Sequence, residues 1–131
     1  MEKPHIKLTI KKIAAALSKN RKILAVYLFG SHAAGKATPL SDIDICVIAP
    51  GINEKEKMEI LSNAYRNVDI VMFDELPFAA RWRVLNEGEA LYAKDRKFVE
   101  SLKWRAFKDY TDFKPILRRH MQKLLPGVQY V

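Results

Sequence analysis

Apolar residues near the start of the chain recur at helical spacing. Ile6, Ile10, Ile13, Ala14 and Leu17 share one side of a wheel while Lys7, Lys11 and Lys12 fall elsewhere, which predicts an amphipathic helix from Ile6 to Leu17 packed on a sheet. Ile23 to Phe29 is short, apolar and rich in β-formers, and it stops at Gly30, as a buried strand feeding a tight turn would. His32 to Ser41 is polar and broken by Gly and Pro, so it reads as a loop with at most one helical turn. Asp42 to Ala49 is a second strand ended by Pro50-Gly51, Asn53 caps a helix through about Tyr65, and Val68 to Phe73 is a third strand. Beyond Pro77 the pattern is helical to Glu87 and is closed by Gly88. A short Ala90-Leu91-Tyr92 segment then leads into a basic helical stretch from about Asp95 to Leu125, in which Pro115 should make a break or kink.

These elements predict an α/β fold, a small mixed β-sheet flanked by helices, in a chain of 131 residues that fits one domain (1–131) with a helical C-terminal portion at about 95–125. Composition adds bounds. With 49% hydrophobic and 29% charged residues the balance is that of a globular protein, not of a disordered one. The single Cys46 lies in an apolar strand, so no disulfide framework exists and a reducing, cytoplasmic setting is expected. No apolar run approaches the roughly eighteen residues of a membrane span, so no membrane association is expected. A formal net charge of +8 suits a polyanionic partner such as a nucleoside triphosphate, a nucleic acid or an acidic protein.

Candidate chemistry is concentrated in the acids. On a strand, residues two apart share a face, so Asp42 and Asp44 project together while Ile43, Ile45 and Val47 face the other way. Two adjacent carboxylates repel unless a cation lies between them. Hard oxygen ligands suit magnesium, which fills its remaining positions with substrate phosphate and water. Asp69 is a third acid, set in an otherwise apolar strand where an unpaired carboxylate would be costly. If that strand neighbours the second, three carboxylates can meet. Gly30-Ser31 adds a turn whose backbone can approach a phosphate closely.

The order is Gly30-Ser31, ten residues, then Asp42-Ile43-Asp44, with an embedded acid twenty-five residues after Asp44. The segment LFGSHAAGKATPLSDIDICVI resembles the polymerase-β-like nucleotidyltransferase superfamily, whose motif is Gly-Ser, a spacer, Asp-x-Asp and a third acid on a nearby strand. The chain's size, that spacer and VDIVMFDELPFAARWRVLNEGEALY look like the minimal nucleotidyltransferase (MNT) antitoxins that accompany HEPN-domain toxins. The resemblance covers about Ile6 to Val99.

The resemblance implies that Asp42, Asp44 and Asp69 are both catalytic and metal-binding and hold two magnesium ions, with Asp69 helping to deprotonate the attacking hydroxyl. Gly30 and Ser31 would hold the β- and γ-phosphates, with His32, Lys36 and Ser41 completing the nucleotide-binding set. ATP would be the substrate, and a tyrosine of a HEPN toxin the AMP acceptor. Where many relatives carry arginines just after Gly-Ser, this chain has His32 and Ala34, with Lys36 the nearest cation.

Other readings are a small-molecule hydroxyl or an RNA end as acceptor, or an antitoxin that neutralises its partner by binding alone. Nucleic acid is the less favoured partner: Lys103, Arg105, Lys108, Lys114, Arg118 and Arg119 read most simply as a solvated helical face. Trp82, Phe98, Trp104 and Phe107 read as core aromatics, any exposed subset being available to a partner. An oligomer is compatible with all of this.

Overall fold

The computed structural model describes residues 4–38, 41–64 and 67–124. In chain order these form α1 (Pro4–Ser18), β1 (Ala25–Phe29), β2 (Ile43–Ile48), α2 (Glu54–Leu61), β3 (Val68–Met72), a single 3-10 turn (Phe73–Glu75), α3 (Phe78–Glu87), β4 (Glu89–Ala93) and α4 (Arg96–Leu124). Tyr65 and Leu125, the expected ends of two helices, lie outside the described residues.

The strands form one mixed sheet in the order β3-β2-β1-β4. β1 pairs antiparallel with β2 and with β4, and β2 pairs parallel with β3. A parallel pair needs a crossover, and α2 supplies it. Asn53 fixes where that helix begins: its side chain accepts the Glu56 backbone amide at 2.8 Å, and Glu56 Oε1 accepts the Asn53 amide at 3.1 Å. This reciprocal cap satisfies two amide donors that a helix start leaves unpaired.

Strand alternation sorts the core into two layers. On one face Ile6, Ile10, Ile13 and Leu17 of α1 pack with Ile60 of α2 against Val26, Leu28, Ile43, Ile45, Val47, Val68 and Ile70. On the other, Ala25, Tyr27, Cys46 and Ile48 pack against Val84 and Leu85 of α3 and Ala106 of α4. The sheet is therefore a middle layer between α1/α2 and α3/α4. Cys46 is completely buried in the second layer, and burial, with Asp74 adding to it, pushes its thiol pKa up to about 12. A thiol-specific reagent at neutral pH is expected to leave it unmodified in the native chain and to label it fully once denaturant unfolds the protein.

Two sequence expectations change. Ala90-Leu91-Tyr92 is the centre of a strand, β4, which closes the sheet on the free edge of β1 with a register shift between Val26 and Tyr27. The segment hides its nature because no β4 residue is fully buried. Pro115 does not break α4, which runs from Arg96 to Leu124. Pro115 and Thr111 are both exposed, so the carbonyl that loses its intrahelical donor faces solvent.

The named basic residues of α4 are exposed apart from half-buried Lys114, whose ammonium lies 5.9 Å from the centre of the Tyr110 ring. Among the aromatics, Trp82 and Phe98 pack on the second layer, while Trp104 is 67% exposed and Phe107 39%.

Candidate active site

The site forms where β1 ends and β2 and β3 begin. Antiparallel pairing sets Phe29 opposite Asp44, and parallel pairing sets Asp44 opposite Asp69. Two carboxylates 25 residues apart in sequence thus become direct neighbours across a ladder. Asp42 stands one residue before β2, exposed, and the Ile43 amide donates to the Asn67 carbonyl at 2.7 Å, which anchors this end of the β2–β3 pair. Asp44 and Asp69 share strand faces with Cys46 and Val71, so they belong to the α3/α4 side of the sheet.

Asp69 is exposed. Its chain neighbours Val68 and Ile70 point into the opposite layer, so burial is not what makes this acid notable. Its register with Asp44 is. Asp44 is half-buried, and its pKa is raised first by that burial, then by the charges of Asp69 and Asp42, with His32 acting in the opposite direction. Among the described residues no lysine or arginine forms a salt bridge with the three acids.

Gly30 joins this acidic edge to the turn after β1. Its φ is +74°, a left-handed conformation that suits glycine, and a Cβ there would collide with Asp44 Oδ2 and lie 3.2 Å from Asp44 Cγ. The Asp44 carboxyl occupies the space a side chain would need. The chain then turns once: the Ala34 amide donates to the Gly30 carbonyl at 3.1 Å and the Lys36 amide to the Ser31 carbonyl at 2.9 Å.

Gly30, Ser31, Ala34 and Lys36 form one wall of a cavity of about 830 Å³. The opposite wall is α3 and the segment before it, with Leu76, Pro77, Ala79, Ala80, Arg83, Val84 and Glu87. Its size lies within the ~300–1,000 Å³ of small-ligand pockets. The three acids do not line it, but Gly30 belongs to both features, touching Asp44 and forming cavity wall.

Gly88 fixes the distance between the walls. Its φ is ordinary, yet a Cβ there would overlap the Val84 carbonyl and stand 2.8 Å from the Leu28 carbonyl, so the end of α3 approaches β1 more closely than any other residue permits.

The remaining expected residues divide. Ser31 and Lys36 reach the cavity. His32 and Ser41 instead tie together the two ends of the spacer: His32 Nε2 lies 3.2 Å from the Ser41 carbonyl, to which it donates when protonated, and the buried His32 Nδ1 has no partner among the described residues. The Ser41 hydroxyl accepts the Thr38 amide at 2.8 Å. Arg83 and Glu87, both at the cavity, were not singled out in the sequence. The small and charged positions Ala79, Arg83 and Glu87, at intervals of four, were the available sign that one face of α3 lacks a packing partner.

The three acids suit a hard divalent cation, since they lie together at the start of β2 and β3 with no lysine or arginine salt bridge among the described residues, and the charges of Asp69 and Asp42 add to the raised pKa of Asp44. No group of three His, Cys, Asp or Glu among the described residues is drawn together closely enough to hold a metal by itself. Magnesium asks less of a protein, taking one or two carboxylates and completing its shell with phosphate and water.

A strand-turn glycine seated on Asp44, with Asp69 opposite it across a parallel ladder and a ligand-sized cavity beside it, offers a place for a phosphate-bearing ligand next to acids. The profile described as Polymerase beta, Nucleotidyltransferase matches residues 11–97, and the chain belongs to that family. Over 79 residues it is 29% identical to a candidate protein adenylyltransferase of Methanocaldococcus jannaschii, a match covering 60% of this chain and 63% of that relative's length. Its fold is that of a toxin–antitoxin crystal structure with AMP-PNP (TM-score 0.73, 21% identity, 89% of this chain and 98% of that one). The same fold occurs in the tri-AMPylated Shewanella oneidensis HEPN toxin in complex with MNT antitoxin (TM-score 0.71, 21% identity, 91% and 98%).

Proposed function

We propose that this chain is a magnesium-dependent nucleotidyltransferase that moves AMP from ATP to a tyrosine hydroxyl of a HEPN-type toxin, and so acts as its antitoxin in the cytoplasm. The observation that carries the reading is the contact of Gly30 with Asp44, which joins paired acids to a ligand-sized cavity at one turn. The candidate protein adenylyltransferase among its relatives and the AMPylated toxin among its structural neighbours support the choice of acceptor.

Asp42 and Asp44 would hold magnesium, with Asp69 adjoining; the metal supplies charge neutralisation at the phosphates and acidifies the incoming hydroxyl. The chain's own residues then position the reactants. The turn of Gly30 and Ser31 brings backbone close to the phosphates, and Lys36 adds a cation at the same wall. The tyrosine oxygen bonds to the α-phosphorus, the bond to pyrophosphate breaks in line, and the hydroxyl proton passes to Asp69, whose exposure leaves it open to an incoming acceptor.

Incubating the chain with α-labelled ATP, magnesium and a HEPN-type toxin supplied as candidate partner is expected to label the toxin on tyrosine. Absence of label at any nucleotide or divalent cation would remove the proposal. Label on RNA or on a small-molecule hydroxyl in place of the toxin would move the acceptor and keep the transfer chemistry.

A further inference from the structure

The cavity holds an asymmetry of charge. Its strand-side wall contributes one cation, Lys36, because His32 is turned toward the Ser41 carbonyl and position 34 is alanine. Its helix-side wall contributes one more, Arg83, together with one acid, Glu87. We infer that Arg83 of α3 is a polyphosphate-binding residue, reaching across the cavity to ATP and supplying the positive charge that the turn after Gly30-Ser31 lacks. This rests on the nucleotidyltransferase reading above.

Three observations support it. Arg83 is held loosely: its Nε stands 3.7 Å from Glu87 Oε2, with the two side chains 73% and 65% exposed. An exposed pair of that kind contributes little, so a phosphate can displace Glu87 at small cost. A guanidinium offers a planar fork that matches two phosphate oxygens at once, a stronger and more directional contact than a carboxylate at long range.

The helix beneath it is fixed. Trp82 on the adjoining face packs against Phe107 of α4 with ring centres 5.2 Å apart, and Gly88 locks the end of α3 against β1. One turn before Arg83, Ala79 and Ala80 project no bulk into the cavity, which leaves room for a ligand beside the guanidinium.

Equilibrium binding of ATP and of adenosine to the full chain tests the inference. Arg83→Ala is expected to weaken ATP at least about tenfold, the order for losing charge-assisted hydrogen bonds, and to leave adenosine within about twofold. Arg83→Lys should fall between, keeping the charge but not the fork. Glu87→Gln should tighten ATP a few-fold by releasing Arg83. Because Arg83 is largely exposed, the variants should melt with the parent, and Arg105→Ala on α4 serves as the control for loss of one positive charge.

ATP affinity unchanged by Arg83→Ala overturns the inference, as does an equal loss for adenosine, which would place Arg83 on the nucleoside. A parent chain that binds no ATP with magnesium overturns the nucleotidyltransferase reading itself. A parent that binds ATP equally well with and without Arg83 overturns only this inference.

Discussion

Replacing Asp42 and Asp44 together by asparagine is expected to lower AMP transfer by roughly a thousandfold or more, since on the proposed reading these two would hold the metal and its charge stabilisation would go with them. The fold should survive and become slightly more resistant to heat. Asp44 has a pKa raised by burial and by the charges of Asp69 and Asp42. An acid whose pKa rises on folding binds more protons in the native than in the unfolded state. The stability it contributes is therefore present below its unfolded pKa and is lost as pH climbs through the raised folded value.

Asparagine has no charge to desolvate, so melting temperatures of Asp44→Asn and of the parent, both without metal, should diverge as pH rises through that interval. Parallel melting curves at every pH would contradict the electrostatic account. If the double variant still neutralises a HEPN-type partner in cells, binding alone suffices and the proposed catalysis is not the means.

Gly30→Ala should cost transfer roughly a hundredfold, because a Cβ takes the space of the Asp44 carboxyl and misplacement by about an ångström is enough for such a loss. Stability should fall by about 1–2 kcal/mol from forcing alanine into a left-handed conformation. Gly35→Ala separates the two effects. Gly35 has a similar φ of +71°, yet nothing lies within 4 Å of its would-be Cβ. Urea unfolding should give the two variants a similar backbone penalty, while kcat/KM should collapse only for Gly30→Ala. Equal transfer by both would mean that Gly30 serves the turn and not Asp44.

Strand chemistry was open to reading wherever it is local. Ile43 to Ile48 announces a strand because its run is apolar and β-rich, although Asp42, expected inside it, stands just before it, and Ile23 to Phe29 announces a buried strand because its run is apolar and ends in glycine. The Asn53–Glu56 box is equally local, four residues that satisfy one another. Asp69 stands in an apolar run yet is exposed, and it gains its place from the neighbouring of β3 with β2, which sets it in register with Asp44. Ser41 and His32 show the opposite case. Their residue types suit phosphate, and the structure adds contacts that those types do not announce, His32 Nε2 against the Ser41 backbone carbonyl and the Thr38 amide on the Ser41 hydroxyl. β4 escaped notice because none of its residues is buried and its partner, β1, lies some sixty residues earlier.

By itself the sequence determined the periodicities, and with them the helices and three of the four strands, since each depends on residues a few positions apart. Only the tertiary structure decided that Asp69 faces Asp44, that Asp44 fills the space above Gly30, and that α3 stands across a cavity from Ser31 and Lys36. Those are contacts between residues 14 to about 60 positions apart. Their geometry is set by strand order and by the close approach of Gly88 to Leu28, quantities that no local pattern of polar and apolar positions encodes.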